Sequence, residues 1–276
     1  MRSPQRVTFD TNTLRALVTA FRAQQQGNAS AFAGKPEMIV LEAIQTGKVL
    51  PRASDTVLTL EGVQRKDRVV YFGGYKPNIS ITESAGRDGS IKVSFSIAPG
   101  TPPTLNKIQV DRLNDFVSLG GLFMLIPRIG SVPRPKTITD ALVVEMADER
   151  KQREEWSAEL VRKIEAAQAS IYHAKQLAHR LNPQAVPWTA AFKNAVTSQD
   201  ENAVGDAIAE WADGDFIAAH YGYGNDVLCT DERSKGASSF AAMSAENRAW
   251  LTADYGVRFM TLEELAYPQQ STCKIF

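Results

Sequence analysis

The chain has 276 residues, 43% of them hydrophobic and 22% charged, with Lys plus Arg and Asp plus Glu at 31 each. That length supports one or two domains with a full core, and zero net charge excludes the basic excess of a general nucleic-acid coat. Two cysteines, Cys229 and Cys273, form neither a disulfide framework nor a zinc-finger spacing. No run approaches the ~18 apolar residues of a membrane span, and "MRSPQRVTFD" has no apolar leader, so a soluble cytoplasmic protein is expected.

"RVTFD" reads as a short strand and "TLRALVTAFRAQQQ" as a helix, with Leu14, Leu17, Val18 and Phe21 at helical spacing. After a loop, "GNASAFAG", "KPEMIVLEAIQTG" predicts a helix opened near Pro36 and stopped at Gly47. "KVLPRAS" follows as a strand or extended segment, and "SDTVLTLEGVQRKDR" as a helix capped by Ser54 or Asp55. "NISITESAGRDGSIKVSFSI" alternates apolar and polar residues around a Gly-containing turn, the pattern of a hairpin. "APGTPPT" is a Pro-rich joint, "NKIQVDRLNDFVSLGGLFMLIP" a helix followed by a buried strand, and "RIGSVPRPKT" a loop.

From Met146 to Leu181 runs a helical pattern without Gly or Pro, striped by Trp156, Leu160, Ile164, Ala167, Ile171, Ala174, Leu177 and Leu181. At ~1.5 Å per residue it would reach roughly 50 Å, the length of an arm or lid rather than a core helix. "ENAVGDAIAEWADGDFIAAHYGYG" reads as two short helices or one broken near Gly214. "NDVLCT" is then a strand, "SAENRAWLTADYG" a helix, "VRFM" a strand and "TLEELA" a closing helix. Strand and helix alternate at both ends, which predicts an α/β core from residues 1–70 and 200–276 with an insertion, 71–199, holding the hairpin, the Pro-rich loops and the long helix.

Acidic residues stand where such a core places its working edge, beyond the carboxyl ends of the strands. Asp10 ends the first strand, Glu61 lies between Leu60 and Val63, Asp213 and Asp215 precede "FIAAHYGYG", and Asp231 follows "VLCT". Each has an ordinary structural use as a cap, a turn or a solvated position; their placement at strand ends is what draws them together. Packed carboxylates raise one another's pKa, and hard cations such as Mg²⁺ or Mn²⁺ relieve that repulsion.

"VTFDTNTL", "ASDTVLTLEGVQRKDR" and "GDFIAAHYGYGNDVLCTDE", in that order, resemble the three acidic motifs of the PIN-domain nucleases, and "GVRFMTLEELA" is similar to the usual ending of that family. The resemblance spans roughly the first 70 and the last 75 residues; the long middle departs from small PIN domains. It implies a parallel sheet flanked by helices and a metal-dependent ribonuclease, cutting RNA internally with Mg²⁺ or Mn²⁺ held by acids. Carried over, the ligands and catalytic groups are Asp10, Glu61, Asp215 or Asp213 (Asp215 favoured) and Asp231, with Asn12 and Thr230 in support. Glu42 is the rival to Glu61 but precedes the strand that the family's Glu follows. An antitoxin-like protein inhibitor or a homo-oligomer is the further partner so implied.

Arg65, Lys66 and Arg68, close after Glu61, are candidates for phosphates flanking the scissile one, or else a solvated helix end. Arg128, Arg134 and Lys136 add positive charge in the Pro-rich loop, while Arg150, Lys151, Arg153, Arg162 and Lys163 alternate with Glu as a salt-laced face. Tyr71, Phe72 and Tyr75 offer base stacking or core packing. His173, His179 and His220 do not cluster with the acids, and no zinc site is expected. Two other functions stand beside the nuclease: a PIN-like module that binds RNA or protein without cutting, and a metal-dependent phosphatase. For the latter, "FDTNTL" resembles the nucleophile loop of haloacid-dehalogenase-like phosphatases, but Asn12 stands where the loop's acid belongs.

Overall fold

The computed structural model describes residues 3–74, 78–85, 90–98, 101–126, 141–143, 145–232 and 241–268. Strand β1 (Gln5–Phe9), helices α1 (Thr11–Gln25) and α2 (Pro36–Gln45), and strand β2 (Val49–Ser54) form where the patterning placed them. The helix expected after β2 does not form. The chain makes a 3-10 turn (Asp55–Leu58), further turns through Val63, a second 3-10 turn (Arg65–Asp67) and only then the short helix α3 (Arg68–Gly74). Thr56, Val57 and Thr59 are β-branched, which weakens helix formation. Gly62 permits the fold-back, since a Cβ there would lie 2.8 Å from the Leu58 carbonyl oxygen.

Strands β3 (Asn78–Ala85) and β4 (Ile91–Ala98) pair antiparallel as the expected hairpin. Helix α4 (Lys107–Ser118), started by an Asn106–Gln109 capping box, and strand β5 (Leu122–Met124) follow. The long helix is two helices, α5 (Ala147–Ala166) and α6 (Ile171–Leu181), separated by Gln168 and Ser170, both with φ of 59°. Both pack on α7 (Ser198–Gly222), a single unbroken helix. The expected arm is therefore a packed pair. Two glycines of α7 allow the close packing: a Cβ at Gly214 would meet Ser170 Oγ at 2.0 Å, at the break, and one at Gly222 would meet Ser157 Oγ at 2.0 Å. Strand β6 (Val227–Cys229), helix α8 (Ala245–Tyr255), strand β7 (Phe259–Met260) and helix α9 (Leu262–Ala266) complete the chain as read.

The main sheet has the order β5-β2-β1-β6-β7, all parallel. Side chains alternate across it. Val7, Phe9, Phe123, Val227 and Cys229 face a core closed by α1, α2 and α4; Met124 and Leu228 face one closed by α5, α7 and α8. A third cluster, with Phe72, Ala174, Phe192 and Trp211, joins α3, α6, the 3-10 segment Trp188–Asn194 and the first half of α7. The boundaries read from the sequence shift accordingly. Strand β5 lies inside the expected insertion, yet pairs with β2 as the sheet edge, and residue 200 falls within α7 rather than between units. Among the described residues no helix is long and apolar enough to cross a membrane.

Candidate functional site

Strand order reverses between β1 and β6, and in open parallel sheets the crevice beyond such a reversal is where ligands collect. Asp10 stands there, its N–H still paired to the Cys229 carbonyl at 3.1 Å. It is also the N-cap of α1: Oδ1 accepts from Thr13 N–H at 2.6 Å and from Thr13 Oγ1 at 2.7 Å. Oδ2 accepts from Thr230 Oγ1 at 2.5 Å. The helix N-terminus favours negative charge at this point, so the cap also places Asp10 in the crevice. Asn12 lies exposed on the first turn of α1.

Glu61 reaches the same crevice from the turn after β2, its Oε2 accepting from Thr11 Oγ1 at 2.6 Å. Burial raises its carboxyl above the ordinary glutamate range against the pull of Thr11; Asp10 and Glu232 push the same way as burial and buried Arg68 opposes them. Asp213 comes from α7. It makes no hydrogen bond or ion pair among the described residues, and burial followed by Glu232, Glu210, Glu61 and Asp10 holds its carboxyl well above the usual aspartate range. Glu232 is raised by desolvation and then by Asp10 and Glu210. Asp10, Glu61, Asp213 and Glu232 thus lie close enough to share fields, with Arg68 facing Glu61 and Asp213 and Arg248 opposing the charge at Glu232.

Two expected residues are oriented differently. Asp215, favoured for the third motif, is two positions beyond Asp213, a rotation of about 200° on a helix; it is 3% exposed and absent from the fields that raise Glu61, Asp213 and Glu232. Asp231 Oδ1 accepts from Leu262 N–H at 2.9 Å at the start of α9, so it ties β6 to the closing helix while its neighbour Glu232 faces the acids. Thr230 has its hydroxyl committed, donating to Asp10 and accepting from Glu232 N–H at 3.0 Å. It positions both acids instead of lying open to a metal or water.

The cationic trio divides as well. Arg68 is 8% exposed and donates to the carbonyls of Val63 and Gly205, out of reach of an external phosphate. Arg65 pairs with Asp206 at 2.7 Å, and Lys66 alone remains exposed without a partner among the described residues. Phe72 is core, edge-on to Tyr71 at 5.1 Å, so it is not a stacking platform. Tyr75, Arg128, Arg134, Lys136 and Cys273 lie outside the described residues. Burial pushes the Cys229 thiol up, which keeps it inert.

Glu210 and Glu232 are the residues that sequence reasoning passed over. The signal for the first was present: Asp206, Glu210 and Asp213 fall at i, i+4 and i+7 on one stripe of α7. For Glu232 there was none, because which of two adjacent acids turns inward depends on the chain beyond the strand. Among the described residues no three His, Cys, Asp or Glu side chains are grouped to hold one metal ion. The donor chemistry nevertheless suits a hard divalent cation, and Mg²⁺ is commonly held by one or two carboxylates with waters and substrate phosphates filling the rest. Comparison with known proteins found no matching family model, no matching curated protein and no matching solved structure.

Proposed function

We propose that the chain is a divalent-metal-dependent ribonuclease that cuts RNA internally, on a PIN-like sheet. Support comes first from Asp213, a carboxylate without a hydrogen bond or ion pair among the described residues, set in the fields of Glu232, Glu210, Glu61 and Asp10. Like charges gathered at a sheet's switch point destabilise the fold unless a ligand of opposite charge joins them. Asp10, Glu61, Asp213 and Glu232 are the residues that would hold Mg²⁺ or Mn²⁺. When bound, such an ion neutralises phosphate charge and lowers the pKa of water. The chain's own part is orientation: the α1 N-terminus and Thr230 fix Asp10, Thr11 fixes Glu61, and Arg68 balances part of the charge. A five-stranded parallel sheet with acids at the ends of β1 and β6 agrees with the layout that the three motifs imply.

The test is incubation of the purified chain with labelled RNA and DNA, with Mn²⁺ or Mg²⁺ and with chelator. RNA fragments are expected only with metal, and not from Asp10→Asn. A second reading, a module that binds RNA without cutting, draws on the lack of a three-residue metal cluster among the described residues. RNA retained by the protein but intact under every metal condition would establish that reading in place of the first.

A further inference from the structure

Beside the acids, and sharing Thr11 and Glu61 with them, lies a cleft of about 100 Å³ between α1 and α4. Its remaining polar lining is Arg15, Gln109 and Arg112. Gln109 is committed, its Nε2 donating to the Gly62 carbonyl at 3.1 Å and its Oε1 accepting from Asn106 N–H. The two arginines are not. Neither guanidinium makes a hydrogen bond or ion pair among the described residues, whereas nearby Arg22 pairs with Asp115. Arg112 is half-buried; burial, then Arg15 and Arg22, lowers its pKa, and no acid raises it. The side chains that line the cleft thus include two unanswered guanidiniums, and guanidiniums match phosphate oxygens in a planar fork.

We propose that the Arg15–Arg112 cleft seats a backbone phosphate of the substrate strand next to the scissile one, so that a single-stranded polynucleotide runs from the acids past Thr11 onto the face between α1 and α4. The choice of ligand rests on the ribonuclease reading, but the test separates the two. A strand so held would be gripped by fixed positive charge on one side of Glu61 and presented to the carboxylates on the other. This is a different surface from the Arg65–Lys66–Arg68 segment, which the packing has largely consumed.

The experiment is binding of a fluorescein-labelled oligouridylate in chelator, where nothing is cut, across a salt series. The wild type is compared with Arg15→Gln, with the Arg15→Gln/Arg112→Gln pair and with Arg162→Gln, an exposed cation on α5. The pair is expected to weaken binding about tenfold or more and to flatten the salt dependence by roughly 0.7 for each phosphate left without its cation; Arg162→Gln should change neither. Because Arg112 is opposed only by like charge, the pair should melt no lower than wild type. If it does melt lower, Arg15→Gln, on an exposed side chain, serves as the reporter in its place. Unchanged affinity and salt slope in the reporter, or equal loss in Arg162→Gln, overturns the subsite whatever the cutting assay gives. Loss of binding in a chain that never cuts keeps the subsite and removes the nuclease.

Discussion

Two buried charged places in this molecule are built on opposite plans. Arg153 on α5 is enclosed and fully answered: its Nε and Nη2 donate to Glu145 at 3.0 and 2.9 Å, its Nη1 to the Leu125 carbonyl at 3.2 Å, and its guanidinium lies 4.9 Å from the Tyr223 ring centre. At the crevice between β1 and β6, Asp10, Glu61, Asp213 and Glu232 are gathered, opposed by Arg68 and, at Glu232, by Arg248. The first arrangement joins α5 to the end of β5 and to α7 and leaves no demand on solvent or ligand. The second gathers four carboxylates against two cations, Arg68 and Arg248. Gathered like charge carries a structural cost that an answered ion pair does not, and the proposed site lies where that cost is unmet.

The largest expected effect is at Asp10. Asp10→Asn should reduce metal-dependent cleavage on the order of 10²- to 10³-fold, the scale of losing a key electrostatic group, with a melting loss below that of Asp10→Ala, because Asn keeps the cap but cannot also accept from Thr230. Asp10→Ala should lose the same activity and about 1 kcal/mol of stability besides, through the lost cap. Cleavage rates and thermal melts on the two variants distinguish charge from cap, and full activity in either removes Asp10 from the site.

Next in size is His220 on the matched side. It is buried with Nδ1 2.9 Å from Thr8 Oγ1, and burial and then Arg6 push its pKa down to about 3. The unfolded chain therefore binds the extra proton between about 3 and the ordinary value of 6.5, so stability falls as pH drops through that window. At ~1.4 kcal/mol per pKa unit the loss amounts to several kcal/mol. Acid unfolding curves of His220→Gln should be flatter there than wild type; an identical slope would show that another group governs the transition.

Adjacent acids give the third comparison. Glu232→Gln should lower cleavage roughly tenfold or more, a change of ~1.4 kcal/mol or above in the barrier. Asp231→Ala should keep the rate but melt lower by about 1 kcal/mol, because the Leu262 N–H loses its acceptor. The reverse pattern would return Asp231 to the site.

The smallest effect is a gain. Asp213 has a raised pKa, so the folded chain binds the extra proton from the ordinary aspartate range up to that raised value, and above it the full penalty of an ionised carboxylate is present. Asp213→Asn should then stabilise the metal-free protein at neutral pH on the order of 1 kcal/mol. Added Mn²⁺ should narrow the difference by stabilising wild type selectively. A variant that melts lower than wild type without metal would mean Asp213 has a structural partner after all.

Much of the scaffold was legible in the chain. Leu14, Leu17, Val18 and Phe21 announce α1, Pro36 and Gly47 bound α2, and the alternation of "SITES" with "KVSFS" announces the hairpin. These signals are local: periodicity, caps and turn residues act within a few positions, so they survive without knowledge of the rest of the fold. Asp10 was legible for the same reason, since the end of a first strand in an α/β chain must lie at the carboxyl edge of the sheet.

What tertiary structure alone decided is which way things face. Helical period separates Asp213 from Asp215 by a fixed angle but does not say which of them meets the crevice; α7's seat against the sheet does. The same holds for Glu232 over Asp231, which depends on α9 arriving to take the latter's carboxylate. No Gly or Pro marks the break between α5 and α6, where Ser170 packs into space that a glycine on another helix leaves open. Local propensity acts through neighbours in sequence, whereas orientation is set by the packing of distant layers, and that is where sites are assembled.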